Sequence, residues 1–180
     1  MRVHPLIVSG VLAVMSLGAD QAGAQQVTKE NIPGITNLAR LETTVACAGA
    51  TQLEAIPEIK KMGFASIINL RRASEPGAAI EAEAAAAKAA GLRFYHIPFN
   101  TQDPSPAAAD QFLAAITTTG SEPAFIHCAG GNRAAAMWLI KRLVVDRWEM
   151  DRASKEATAL GLTSPALKQF AADYAQAHKK

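Results

Sequence analysis

Short, almost wholly apolar runs alternate with longer segments in which apolar residues recur every three or four positions. Thr43–Ala48 (TTVACA) reads as a strand, and Gln52–Met62 as an amphipathic helix with Leu53, Ile56 and Ile59 on one face, stopped by Gly63. Phe64–Leu70 carries adjacent isoleucines, the pattern of a strand buried on both faces of a parallel sheet. Ala78–Ala90 is alanine-rich, and because alanine is the strongest helix former this predicts a close-packed helix ended by Gly91. Leu92–Phe99 follows as a strand, Pro106–Thr117 as a helix and Ala124–His127 as a short apolar strand running into a glycine-containing loop. From Arg133 to Arg147 a helix places Met137, Ile140, Leu143 and Val144 toward a core. Two more helices, Asp151–Leu160 and Ser164–His178, close the pattern. Strands separated by helices of this length require crossover connections. The expected fold is therefore a single α/β domain with a central, mostly parallel sheet flanked by helices.

The N-terminal segment departs from this pattern. Met1–Pro5 carries Arg2 and His4, Leu6–Leu17 is an apolar run of 12 residues, and Ala22-Gly23-Ala24 supplies small residues before a cleavage point. This reads as a secretory signal over residues 1–24, because the run is shorter than the roughly 20 residues a membrane-spanning helix needs. The domain proper is expected over residues 25–180, in the periplasm or secreted, with no membrane attachment once the signal is removed. Lys plus Arg (18) nearly balances Asp plus Glu (16). Such a balance lacks the one-sign field that holds nucleic acid, so no nucleic-acid partner is expected. Two cysteines are too few for a disulfide scaffold or a four-thiolate zinc site, and none of the four histidines forms a ligand pair at helical spacing. No metal and no cofactor are expected.

The chemistry-bearing segment is His127-Cys-Ala-Gly-Gly-Asn-Arg133. A turn that leaves a parallel strand and enters a helix gathers several backbone N–H groups at one spot, which makes an anion cradle. Gly130 and Gly131 keep side chains away from those amides, Ala129 and Asn132 complete the loop, and Arg133 adds a two-pronged contact to an oxyanion. The same field favours the thiolate of Cys128, a nucleophile at the floor of the cradle. A lone cysteine at a strand end is more often a small buried hydrophobe. Here the strand, the glycines and the arginine at the helix start together favour the functional reading.

This arrangement resembles the cysteine-dependent phosphatase superfamily. It is most similar to a bacterial group of small dual-specificity-phosphatase-like domains described as beta-lactamase-hydrolase-like or tyrosine-phosphatase-like. The likeness runs from about Asn31 to Trp148 and includes Ile35–Arg40, Val45–Gly63, Ile67-Ile68-Asn69-Leu70-Arg71 with Glu75, Ile97-Pro98-Phe99, and HCAGGNR followed by Ala134–Trp138. The resemblance implies that Cys128 attacks phosphorus to form a phosphocysteine, that the loop amides and Arg133 hold the oxygens, and that an aspartic acid protonates the leaving group. Asp103 is the best placed for that proton donor, while a turn-forming role before Pro104 is equally open. Asp110 is the poorer choice because it falls within the following helix. Two features depart from the superfamily. Only four residues separate Cys128 from Arg133, a length associated with rhodanese-like sulfurtransferases, and Ala134 stands where a hydroxyl commonly assists departure of the thiolate.

Cys47, at the end of the first predicted strand, has two readings: a reversible disulfide partner of Cys128, or a buried free thiol. Arg71 is expected to pair with Glu75 rather than to extend the anion site, and His127 to orient the loop rather than act as a base, because it points away from the cradle. His96 and Asn69 read as structural, and Trp138 and Trp148 as core or helix contacts. Three functions follow, in order: hydrolysis of a small-molecule or protein phosphomonoester, sulfur transfer through a persulfide on the same cysteine, and oxyanion binding with little turnover.

Overall fold

The computed structural model describes residues 26–178, so the segment expected to be a signal, residues 1–24, and the closing Lys179-Lys180 lie outside the described residues. Six strands form one sheet: β1 (Val27–Ile32), β2 (Ile35–Leu41), β3 (Val45–Ala48), β4 (Ser66–Asn69), β5 (Arg93–His96) and β6 (Ala124–His127). Their order is β1-β2-β3-β6-β4-β5. The pairs β3–β6, β6–β4 and β4–β5 are parallel, as the helical crossovers require. β1 and β2 form an antiparallel hairpin that extends the sheet beyond β3.

This hairpin corrects the sequence reading, which began the sheet at Thr43. β1 (VTKENI) has no buried residue and β2 buries only part of its length, so neither shows the continuous apolar run by which a central strand is recognised. Antiparallel strands with one solvated face leave a weaker signature. The strand expected over Thr43–Ala48 shortens to Val45–Ala48 and that over Leu92–Phe99 to Arg93–His96.

The helices cover both faces. A 3₁₀ turn at Leu53–Ala55 leads into α1 (Ile56–Lys61), and α2 (Ile80–Ala89) packs with it on one face around Ile56, Ile59, Phe64, Ile67, Ala87 and Phe125. On the other face lie α3 (Pro106–Thr117), α4 (Asn132–Val144), α5 (Met150–Ala159) and α6 (Pro165–Ala177). Their larger core includes Phe99, Phe112, Met137, Trp138, Ile140 and Leu167. α4 is buried nearly all round because α3, α5, α6 and the sheet surround it, and its first turn begins at the end of β6. None of the described helices is long and apolar enough to cross a membrane.

Candidate active site

β6 lies between β3 and β4, with Ile126 level with Cys47 on one side and Ile68 on the other. Ligand sites of such sheets lie beyond the carboxyl ends of the parallel strands, and Cys128 leaves β6 at that edge. Alternation along the strand sends Ile126 and Cys128 toward the α4 face and Phe125 toward the α2 face. His127 follows Phe125, and its ring meets Glu83 of α2.

The loop from Cys128 to Arg133 is fixed by its backbone. The Ala129 carbonyl accepts from the Ala50 amide at 2.9 Å, and the Gly130 carbonyl from the Asn37 side chain at 3.2 Å. Gly49 backs onto the loop so closely that an added Cβ would stand 2.9 Å from the Ala129 oxygen, which makes glycine necessary there. Gly131 caps α4 at φ +101°, a left-handed conformation that a side chain would strain, and its amide donates to the Cys128 sulfur at 3.1 Å. Such a donor binds a charged sulfur more strongly than a neutral one. The amides of Ala129, Gly130, Asn132, Arg133 and Ala134 donate to no group among the described residues. They are the free donors of a helix start and the turn before it, the arrangement that receives an oxyanion.

Arg133 lines the same cleft, of about 360 Å³, together with Cys128, Ala129, Gly130, Asn132, Glu75 and Arg72. Its guanidinium is held by the Glu75 carboxylate through two hydrogen bonds (2.6 and 2.7 Å), and Nη1 also donates to the carbonyls of Leu70 and Phe99, each at 3.0 Å. Burial alone would weaken this cation. The bonds to Glu75 and the nearby Cys128 sulfur outweigh it and raise Arg133 above its ordinary range. Reciprocally, the hydrogen bond from Arg133, aided by the Arg72 amide, lowers Glu75 from 4.5 to about 2.

The sequence reading assigned Glu75 to Arg71. Arg71 does approach it, at 3.6 Å, but spends its guanidinium on the carbonyls of Pro76 and Gly77, and the close partner of Glu75 is Arg133. Spacing along the chain cannot find this pair, because 58 residues separate the two. Asn132 contributes its amide to the loop but sends its side chain outward, where Oδ1 accepts from the amides of Thr163 (2.7 Å) and Ser164 (2.9 Å) at the start of α6. Asp103 is exposed in the loop before α3, whereas Asn100 and Thr101 of that loop line the cleft. Asp110 accepts from the Tyr174 hydroxyl on α6, so its carboxylate is engaged away from Cys128.

Cys47 and Cys128 are both buried free thiols on the same face of the sheet. Cys47 stands level with Ile126, two residues short of Cys128. Burial first, then the neighbouring Cys128 and Glu156, push its pKa well above the ordinary thiol value, so it stays protonated. Asn69 and His127, read from sequence as structural and orienting, meet at a residue the sequence reading passed over, Glu83. Asn69 Nδ2 donates to its Oε2, and His127 Nε2 lies against its Oε1, each at 2.7 Å. The available signal was a carboxylate on the same helical face as Ala87, inside an otherwise alanine-rich helix. No group of three or more His, Cys, Asp or Glu among the described residues is arranged to hold a metal.

A buried strand ending in cysteine, a loop of free amides and an arginine at the following helix start define a domain of the cysteine-phosphatase type. The model of the beta-lactamase hydrolase-like protein, phosphatase-like domain, matches residues 37–144, and the chain belongs to that family. Beta-lactamase hydrolase-like proteins of Xylella fastidiosa and Agrobacterium fabrum are each 31% identical, over 121 and 106 residues. The match takes in 65% of this chain but 26% of the Xylella protein, so the chain spans about a quarter of that relative's length. Among solved structures, TpbA of P. aeruginosa aligns with a TM-score of 0.62 at 18% identity, covering 86% of this chain and 91% of that one; a Cys-to-Ser variant of TpbA has been solved in complex with pTyr. The core catalytic domain of the S. cerevisiae PP-IP phosphatase SIW14, solved with citrate, aligns with a TM-score of 0.60 at 14% identity, covering 75% of this chain and 83% of that one. At these identities the structural matches establish the shared fold.

Proposed function

We propose that this chain is an exported phosphatase that hydrolyses a phosphomonoester through Cys128. The observation that carries the reading is the cradle itself: a sulfur receiving the Gly131 amide, ringed by amides without acceptors and faced by a guanidinium that Glu75 holds in place. That TpbA has been solved with pTyr and SIW14 with citrate supports an anionic ligand of modest size. Export rests on the sequence of residues 1–24 alone, with the periplasm or the exterior as the destination.

In the first step the Cys128 thiolate forms an S–P bond as the P–O bond to the leaving group breaks, and Asp103 gives its proton to the departing oxygen. In the second, water attacks phosphorus, the S–P bond breaks, the thiolate returns, and the proton lost by water passes to Asp103. Arg133 and the loop amides hold the non-bridging oxygens throughout, where charge accumulates. Glu75 does not supply the proton, because Arg133 holds it ionised down to about pH 2. Asp103 is the carboxylic acid on the loop whose Asn100 and Thr101 face the cleft.

A second reading, sulfur transfer, draws on the four-residue loop and on Ala134, which brings no hydroxyl to help the thiolate leave phosphorus. Purified protein incubated with an aryl phosphate, and separately with thiosulfate and cyanide, separates the two. The mass gained by trapped Cys128, phosphate or one sulfur atom, identifies the intermediate. Aryl phosphate turnover that is lost in Cys128→Ser upholds the phosphatase, and thiocyanate formation with no phosphate release replaces it. Oxyanion binding without either product leaves a binding module.

A further inference from the structure

Beneath the cradle, on the opposite face of the sheet, lies a polar cluster that the mechanism does not use. Glu83 is 4% exposed, and Asn69 and His127 are fully buried. A carboxylate in an apolar core is costly unless it is paired and hydrogen-bonded, so both of its oxygens need partners. Its two oxygens take different partners: Oε1 meets His127 Nε2, and Oε2 accepts from Asn69 Nδ2. His127 immediately precedes the nucleophile. Asn69 uses its own Oδ1 to accept from the Arg71 amide at 2.7 Å, and so fixes the backbone from Leu70 to Arg72. That short stretch carries the grip on Arg133, since the Leu70 carbonyl accepts from Arg133 and the Arg72 amide donates to Glu75, which holds it. The Leu70 amide in turn donates to the His127 carbonyl at 2.9 Å.

The geometry points to Glu83 as a positioning residue that sets the spacing between Cys128 and Arg133, by gripping the strand end that carries the nucleophile and, through Asn69, the loop that carries the arginine's partner. This rests on Cys128 and Arg133 forming the reactive site, and it holds whether phosphorus or sulfur is the atom transferred. Glu83 touches no substrate and acts through His127 and Asn69.

The polarity of the cluster supplies the test. With His127 donating from Nε2 and its unpartnered Nδ1 bare, the Gln oxygen of Glu83→Gln stays on the imidazole and its amide N–H meets the Asn69 N–H, while Asn69→Asp puts one carboxylate against another, so each single change breaks the Glu83–Asn69 contact. Together they restore it with donor and acceptor exchanged: Gln at 83 still accepts from His127 and donates to Asp at 69, which accepts from the Arg71 amide. Two readouts are followed on the full protein: the rate at which iodoacetamide labels Cys128, located by peptide mass, and the inorganic phosphate concentration that halves it. Cys47, fully buried, reports any loss of fold by becoming labelled. Each single variant is expected to need about tenfold more phosphate, since a displacement of an ångström costs a site one to two orders of magnitude. The double variant is expected to return to within about twofold of the parent.

Singles that match the parent, or a folded double no better than the singles, overturn the proposal. If a single exposes Cys47, the double alone decides. If phosphate does not protect the parent protein, the oxyanion reading of the site fails, and the positioning role is judged on the Cys128 labelling rate by the same comparison.

Discussion

The two ends of α4 hold nearly the same ion pair and put it to opposite use. At the start, Arg133 is buried and bound through two hydrogen bonds to Glu75. Near the end, Arg142 is equally buried and bound by Glu156 (2.6 and 3.2 Å) and by Asp146 (2.9 Å). A cation near a helix C-terminus is favoured by the helix dipole, and Arg142 is further enclosed between the rings of Trp138 and Trp148. Arg133 sits where the dipole disfavours a cation, beside amides that have no acceptor, and its surroundings open into the cleft rather than closing over it. The end of α4 is a stabilised joint with α5. The start gathers positive partial charges around one sulfur beside the Glu75 carboxylate, and in the proposed function an oxyanion completes it. The buried arginine–carboxylate pair therefore does not mark the site; the unspent amides do.

The sharpest contrast comes from removing the chemistry alone. Cys128→Ser is expected to lower aryl phosphate turnover by about 10³-fold or more, because a hydroxyl without an adjacent base is a poor nucleophile, while the melting temperature shifts by only a few degrees. Glu75→Ala attacks the pair at the open end. It leaves a buried guanidinium without its carboxylate, and kcat is expected to fall about 100-fold with a stability loss of about 2 kcal/mol, read by steady-state kinetics and urea unfolding. Arg142→Met breaks the network at the closed end from the cation's side, with a similar loss of about 2 kcal/mol but kcat/KM within about twofold. If Arg142→Met reduced turnover as strongly as Glu75→Ala, the division between the two ends would be wrong.

Acid tests the open end without mutation. Glu75 is held at about 2 against an ordinary 4.5, so its contribution to stability is full above pH 4.5 and is lost as the pH falls from 4.5 through about 2. Glu75→Gln should flatten the stability profile in that interval and leave its slope at higher pH unchanged, as measured by urea unfolding at stepped pH. The smallest effect is expected at Asn132, whose side chain ties α4 to the start of α6. Asn132→Ala should cost about 1 kcal/mol in unfolding experiments.

Local chemistry made much of the domain legible. The strand Ala124–His127 and the helix Pro106–Thr117 were readable residue for residue, because an apolar run bounded by turns and an amphipathic repeat opened by proline each carry their own signal. The β1–β2 hairpin was not, since β1 has no buried residue, β2 mixes buried with exposed positions, and their place is fixed by pairing with β3. In the candidate site, Cys128, the loop and Arg133 are contiguous, so a single segment of sequence contains all three. Glu75 and Glu83 reach that segment across 58 and 44 residues, and no local rule links them to it.

The sequence by itself determined the strand, the glycine turn and the helix start that carry Cys128 and Arg133, because backbone preference, glycine content and strand burial act over a few neighbouring residues. Only the tertiary structure decided which carboxylate restrains Arg133, which one braces the strand beneath Cys128, and that Asp103 stays in solvent while its loop neighbours face the cleft. Those pairings depend on sheet order and on the face each side chain takes, and a buried charge is stable only where folding brings its partner within hydrogen-bond reach.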